Sequence, residues 1–385
     1  SRDRFLAILT MFHLNDNNTR IPRGQHGYDA MHKVKPILDK LTSKFQTVYI
    51  PEENLTVDEA ICAFRGRVFF RVYMKGKPHK YGIKIYELCE AKSGYVCNME
   101  VYAGSNPIEE DYNSAFNTVS RICEPVKHKW HTVYMDRYFS SPTLFDHMWS
   151  CKTKCVGTVM PNRKGMPKEL FSEKLKKGEK VSAQRDNLLA IKWRDVRDVH
   201  ILTTSHEDTM TETPQRGAHQ KIKPLAIVDY NKNKIGVDKS DQLMAYYSFQ
   251  CKSVKWWKKL FFHLFDLALV NAHIIHRKKC SNKIRLHKFI EEIAEGLVAE
   301  TGQERTEPSS QSNAGRLIGR DHFPYKIPGT EGKAQGKSQR KCKQRQASLW
   351  QAAHKYTTIY CRKGDTGLCL GDCFEVFHTK LRYWE

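Results

Sequence analysis

The sequence predicts an α/β protein, and three observations carry that reading. The apolar spacing changes near residue 48, from recurrence at three and four to runs rich in Val, Ile and Tyr. The segments that follow read in the order β-β-β-α-β-α-β. From residue 162 to 223 a polar, β-rich stretch interrupts them before helices resume.

Each element has its own signal. Residues 1–50 are expected to be helical, through Phe5, Leu6, Leu9 and Phe12 and then Val34, Ile37, Leu38 and Leu41, with "NDNNTRIPRG" as a loop between. "NLTVDEAI", "KYGIKIYELCEA" and "GYVCNMEVYAG" read as strands, separated by "KGKPHK" and "KSG". "YNSAFNTVSRICEPV" reads as a helix that starts near Asp111 and is stopped by Pro125, which cannot donate to the helical ladder. "WHTVYMD" is a fourth strand. Ser140 and Pro142 open a helix in "RYFSSPTLFDHMWSCK", and "CVGTVM" is a fifth strand.

Within 162–223, "LLAIKWRD" and "DVHILTTS" mark an inserted β-rich subdomain. "KPLAIVDYNKN" returns to the main body, and "GVDKSDQLMAYY" and Trp256–His276 read as helices. The second of these carries Lys258, Lys259, His263, Asp266 and Asn271, too many polar groups for a membrane span, so a buried core helix is expected. Residues 291–340 are expected to be a largely disordered basic linker, from "TGQERTEPSSQSNAGR" and "EGKAQGKSQRK".

The charge balance points to an anionic partner. Sixty-four Lys and Arg against 42 Asp and Glu leave a formal net charge of +22. The basic residues are interleaved with aromatics and form no long amphipathic helix, which favours nucleic acid over a membrane surface. Of 12 cysteines, eight lie scattered among apolar residues and four follow residue 340, the pattern of reduced thiols in an intracellular protein. The chain opens at Ser1 directly into "RFLAILTMFHL", as expected of a sequence with an N-terminal part missing.

Three carboxylates stand where strands end or a helix starts. Asp58 lies inside the first strand, Asp136 ends the fourth, and Asp238 opens the "GVDKSDQ" helix. If the first and fourth strands are neighbours, the three converge. Phosphodiester hydrolysis or transfer needs such a set, because two cations roughly 3.5–4 Å apart flank the scissile phosphate. Magnesium keeps several waters, so a few aspartates suffice. Bland readings stand beside this one. Asp58 could pair with Arg65 or Arg67, Asp136 could be an ordinary strand-to-loop turn, and Asp238 a plain N-cap. Asp238 and Asp241 sit three apart on one helical face, so capping and metal binding are compatible.

The long blocks "LTVDEAICAFRGRVFFRVYMKGKPHKYGIKIYELCEAKSGYVCNMEVYAG", "VYMDRYFSSPTLFDHMW", "VGTVMPNRKGMPKEL" and "VDYNKNKIGVDKSDQLMAYYSF" closely resemble the piggyBac transposases, above all the piggyBac-derived members of animal genomes. The resemblance runs over essentially the whole chain. It implies an RNase H-like (retroviral integrase-like) mixed sheet flanked by helices, in two parts at 51–161 and 224–290 around the insertion. It implies a remnant of a dimerisation and DNA-binding region at 1–50 and a cysteine-rich zinc domain at 341–385. By motif match the catalytic aspartates are Asp58, Asp136, Asp238 and, three residues on, Asp241, of which the first three bind magnesium or manganese and Asp241 is an alternate or outer ligand. It also implies cut-and-paste transposition through a hairpin on the transposon end, insertion at TTAA, recognition of terminal repeats by a homodimer, and a nuclear location. Arg65, Arg67, Arg71, Lys75, Lys77 and Lys80 suit a phosphate track as a group.

The sequence departs from the family pattern in places. Arg137 replaces the usual Asn after the second aspartate, where it could pair with Asp136 or contact phosphate, and Ile235 replaces a glycine before "GVD". The paired C-x-x-C knuckles are eroded, with Arg345 and Gly364 where partners are expected. Cys342, Cys361, Cys369, Cys373 and His378 remain as zinc ligands, with His354 as a substitute. At most one four-ligand site is therefore expected, and a metal-free tail is the bland alternative.

Overall fold

The computed structural model describes residues 2–104, 114–213, 221–249, 252–281, 283–303, 322–329, 338–347 and 356–380. Two compact units result, Ser1–Ile290 and Glu291–Glu385, described separately below.

The first unit opens with helices α1 (Arg2–Met11) and α2 (Lys35–Thr47), followed by β1 (Asn54–Ala63). A short strand that the sequence pattern does not announce, β2 (Arg71–Tyr73), precedes β3 (Tyr81–Glu90) and β4 (Val96–Val101). Then come α3 (Ser114–Ile122), β5 (Thr132–Met135), α4 (Pro142–Ser150) and β6 (Lys154–Thr158). The expected start of α3 near Asp111 lies outside the described residues. A short helix, α5 (Lys168–Phe171), leads to β7 (Lys180–Arg185), β8 (Leu188–Arg194) and β9 (Asp198–Thr203), then β10 (Met210–Thr213) and β11 (Lys221–Pro224). Helices α6 (Leu225–Asn233), α7 (Gly236–Tyr246) and α8 (Trp256–Lys279) follow, and α9 (Leu286–Gln303) begins in this unit.

Among the described residues nine strands form one mixed sheet in the order β2-β3-β1-β5-β6-β9-β8-β7, with β4 paired to β3. The β1–β5 and β5–β6 pairs are parallel and the others antiparallel. Parallel strands covered on both faces read as continuous apolar runs, and all four residues of β5 are buried. The stretch expected as an inserted subdomain is β-rich, but it is not wholly separate. β9 pairs with β6, so β7–β9 extend the main sheet, and only β10 and β11 form a small sheet of their own.

Helix α8 is the buried core helix that its composition predicts, and Asn271 and Asp266 on it are paired, whereas His263 Nε2 and His276 Nδ1 are buried without a hydrogen-bond partner among the described residues. Asn271 accepts from the Val96 N–H at 3.0 Å and donates to the Val96 carbonyl at 2.9 Å. Asp266 accepts from the Ser248 hydroxyl at 2.8 Å and the Phe249 N–H at 3.1 Å. Such pairing removes most of the cost of burying polar atoms. Among the described residues no helix is long and apolar enough to cross a membrane.

The second unit is built from short pieces: β12 (Pro324–Lys326), β13 (Arg340–Lys341), α10 (Lys343–Ala347), β14 (Tyr356–Thr357), β15 (Ile359–Cys361), β16 (Thr366–Gly367) and α11 (Asp372–Thr379). The stretch expected to be linker from residue 291 begins instead as helix, because α9 continues to Gln303 with apolar positions at Ile293, Leu297 and Val298. Residues 304–321 and 330–337 of that stretch lie outside the described residues.

Candidate active site

Strand register brings the first two aspartates together. Asn54 to Val57 of β1 pair in parallel with Thr132 to Met135 of β5. The next residues are Asp58, in the middle of β1, and Asp136, just past the end of β5, so the two stand side by side on neighbouring chains whose spacing is about 4.8 Å. The alternative pairing of Asp58 with Arg65 or Arg67 does not form among the described residues. Its carboxylate instead accepts from the Glu59 N–H at 2.8 Å. Asp136 caps its own turn, accepting from the Tyr138 N–H at 2.8 Å, while the Ser140 hydroxyl donates to the Asp136 carbonyl at 2.9 Å. That turn is held against β6 at Gly157, where a Cβ would lie 2.2 Å from the Ser140 hydroxyl. Arg137 is exposed and forms no described salt bridge with Asp136.

Helix α7 reaches the same part of the sheet by close packing. The Thr56 hydroxyl donates to the Asn233 carbonyl at 2.7 Å, pinning the α6–α7 junction to β1 two residues before Asp58. At Gly236 a Cβ would lie 2.9 Å from the Thr56 hydroxyl and 3.2 Å from the Ala91 Cα, so a side chain would force the helix off the sheet. Lys239 donates to the Ala91 and Lys92 carbonyls at 2.7 and 2.9 Å. Val237, Ser240 and Met244 form the buried stripe that sets the helix's rotation, which leaves Asp241 half-buried at its edge and Asp238 exposed further round on the same side. The helix cap is Ile235, without a side-chain bond, so Asp238 is not an N-cap. It lies in the first turn, and its carboxylate is not consumed by capping.

Electrostatics tie these groups into one site. Burial, then the neighbouring Glu59, pushes the Asp58 carboxyl up to about 7. Burial pushes Asp241 up to about 6, opposed by Lys77 and reinforced by Asp238 and Asp58. Asp136 is raised by burial and by Asp58. Glu87, the cross-strand partner of Asp58, is pushed up to about 8 by burial and then by Asp241. The Glu59 Oε2 and Glu87 Oε1 atoms are buried without a hydrogen-bond partner. Lys77 Nζ lies 3.5 Å from Asp241 Oδ2, while Arg137 acts on Asp136 and Lys84 is acted on by Glu59 without a described ion-pair contact. The donor set is all hard carboxylate oxygen with negative charge in excess, and this suits magnesium or manganese. The oxygens do not crowd into a three-ligand group with mutual distances of 4.8 Å or less; the described groups of that kind lie in the second unit.

Beside the acidic site runs an open groove of about 1590 Å³ with basic walls. Arg65, Arg71 and Lys80 line it, as the sequence leads one to expect, joined by Lys252, Lys255 and Lys259 from the region where α8 begins. Arg71 is held by the Arg65 and Gly66 carbonyls, each at 3.0 Å. Arg67 and Lys75 are exposed but do not line the groove, and Lys77 points to Asp241 instead.

In the second unit the expected zinc ligands divide into two groups of three. Cys342, Cys369 and Cys373 form one, and His322, Cys361 and His378 the other, each with ligand atoms within 4.8 Å. His322 is absent from the ligands that the sequence suggests; its Nδ1 lies 3.3 Å from Cys361 Sγ. His378 donates through Nδ1 to the Phe374 carbonyl at 2.7 Å, which leaves Nε2 as its ligand atom. In the all-thiol group Arg345 Nε donates to Cys373 Sγ at 3.3 Å. His354 lies outside the described residues.

Comparison with known proteins agrees with this architecture. Residues 1–273 match a family model described as "Transposase IS4". The chain is 25% identical to human PiggyBac transposable element-derived protein 3 over 98% of its own length and 63% of the relative's. It is 26% identical to human PiggyBac transposable element-derived protein 2 over 73% of its length and 49% of that protein's. The chain thus spans less than two thirds of the curated relatives it matches. Its fold superposes on a piggyBac transposase, from a synaptic complex with hairpin DNA, with a TM-score of 0.73 at 22% identity, covering 96% of this chain and 79% of that one. With the family model covering well over half of its residues, the chain belongs to the piggyBac transposase family.

Proposed function

We propose that this chain is the core of a piggyBac-type transposase, which cuts and joins DNA strands with a divalent cation in an RNase H-like site. The observation that carries the reading is the register that sets Asp58 beside Asp136 across the parallel β1–β5 pair, with α7 bringing Asp238 and Asp241 to the same part of the sheet. A bound pair of divalent cations would activate the attacking oxygen and stabilise the leaving one. Asp58, Asp136 and Asp238 would hold them, with Asp241 beside. The carboxylates fix the reacting phosphate's position, and the basic groove carries the flanking backbone by charge. Water, and then a freed 3′ hydroxyl, acts as nucleophile without a covalent protein intermediate.

The proposed substrates are transposon terminal repeats and TTAA targets, handled by a homodimer in the nucleus. Zinc in the second unit belongs to the same reading. Both three-ligand groups have the softness zinc prefers, but each needs a fourth ligand, and Arg345 occupies space beside one of them.

The test is cleavage and strand transfer on end-bearing DNA with Mg²⁺ or Mn²⁺. Metal-dependent nicks and hairpins are expected, reduced at least about 10³-fold in Asp58→Ala. Nicks without hairpins would indicate a plain nuclease. A second reading, a non-catalytic DNA-binding derivative, is favoured by the eroded zinc ligands. Salt-sensitive DNA binding with no metal-dependent product would establish it over the first.

A further inference from the structure

Lys77 is the groove-side cation drawn into the carboxylates. It sits in the hairpin turn between β2 and β3, where the Lys77 N–H donates to the Met74 carbonyl at 3.3 Å. Its neighbours Lys75 and Lys80 are exposed, whereas the Lys77 side chain is 19% exposed. Its ammonium is 3.5 Å from Asp241 Oδ2. Asp241, Asp58, Asp238 and Glu59 all act on it, and together they outweigh the burial that would otherwise lower its proton affinity. A cavity of about 240 Å³ opens beside the pair, lined also by His79, Lys259, His263 and Asp266. The side chain therefore has room to leave. A flexible four-carbon stem on a hairpin tip suits a group that changes partners.

We infer that Lys77 is a resident counter-cation of the catalytic carboxylates: it competes with the divalent metal for Asp241 in the DNA-free protein and transfers to a DNA phosphate when substrate enters. The inference rests on the metal-binding reading above. An ammonium and a divalent cation repel across one carboxylate, so metal binding without DNA must displace Lys77. A phosphate offers the displaced ammonium a new anionic partner. Metal and DNA then favour one another's binding, because binding coupling is reciprocal.

The experiment is Mn²⁺ titration followed by electron paramagnetic resonance at pH 8, on wild type, Lys77→Met and Lys77→Arg, with and without a 20-base-pair duplex. Without DNA, Lys77→Met should bind Mn²⁺ at least about tenfold more tightly than wild type, and Lys77→Arg should resemble wild type. Duplex should tighten Mn²⁺ binding to wild type and leave Lys77→Met nearly unchanged. The slope of log DNA affinity against log salt should fall by about 0.9 in Lys77→Met, one phosphate contact. A lysine with only a structural role would give Lys77→Met equal or weaker Mn²⁺ binding, and that result overturns the inference. If the methionine variant does not fold, Lys77→Gln carries the same expectations. Wild type, Lys77→Met and Asp58→Ala all failing to bind Mn²⁺ would overturn the metal reading, and the inference with it.

Discussion

The carboxylates of the first unit and the thiols of the second are both candidate metal-ligand sets, yet they are assembled by different means. Asp58 and Asp136 are placed by the hydrogen-bond register of a nine-stranded sheet, and Asp238 and Asp241 by a helix packed on that sheet through Gly236. These ligands would keep their places with no ion bound. Cys342, Cys369, Cys373 and the His322–Cys361–His378 group are carried by strands of two or three residues, short helices and turns. Their shared core is a handful of side chains: Cys342, Cys361, Leu368, Cys373 and Phe377. So small a core contributes little by itself, and the ligands are a large part of it. The first unit is a scaffold that positions a site, while the second has so small a core that its fold is expected to depend on whether its site is filled.

The largest expected effect breaks this contrast if it is absent. Chelating zinc from the intact protein should leave residues of the first unit protease-resistant and render the second unit rapidly digested. The first unit's melting transition should move by no more than about 1 °C, since among the described residues its core contains none of those thiols. Equal digestion of the second unit with and without chelator would show that it folds without metal. Arg345→Cys sharpens the test. It removes the guanidinium from Cys373 and adds a fourth thiolate, so zinc content should rise by about one ion per chain if that group is empty in the natural sequence.

The same contrast explains what could be read from the sequence. Asp58 and Asp136 end apolar runs, and the neighbouring placement of those strands follows from simple sheet topology. Their adjacency is legible because register is set by patterns spread over many residues. The α7 cap lies three residues before Asp238, the position that local signals favour. Gly236, just after the cap Ile235, is placed by packing on Thr56 and Ala91, which no local signal reveals. Lys77 looks like one more basic residue in "KGKPHK", and Glu59 and Glu87 look like solvent-facing strand positions. Their roles arise from cross-strand neighbours. The insertion's attachment to β6 is hidden for the same reason, since a free sheet edge has no sequence signature. His322 has a faint one: a histidine beside the aromatic run "HFPY", well upstream of the clustered cysteines.

The groove offers an intermediate test of the scaffold half of the comparison. Lys80 and Lys255 are exposed and line it from two different elements, the β2–β3 hairpin and the start of α8. The double change Lys80→Ala and Lys255→Ala should weaken duplex binding about tenfold near 0.15 M salt and lower the salt slope by about 1.8, two phosphate contacts. Melting temperature should change little, because surface charges away from the core contribute little to stability. A loss of binding with an unchanged slope would mean that the two lysines do not face the backbone.

The smallest expected effect concerns the cost of the preassembled carboxylates. Asp58 titrates near 7 in the folded chain, well above its unfolded range near 4, so between those values the folded state holds a proton that the unfolded state has lost. The unfolded state then binds fewer protons, and the stability of the metal-free protein falls as pH rises from about 4 to about 7, then levels off. Asp58→Asn removes this penalty while keeping the side chain's shape. In chelator at pH 8 it should stabilise the first unit by on the order of 1–2 kcal/mol, reduced from the full linkage value because the carboxylate reaches water. That corresponds to a rise of about 2–6 °C in melting temperature, vanishing near pH 4. Saturating Mn²⁺ should reverse the order, since the wild-type carboxylate gains from the ion and the amide does not. A variant no more stable than wild type at pH 8 would mean that Lys77 already neutralises the site, and the melting curve of Lys77→Met would then show the larger loss.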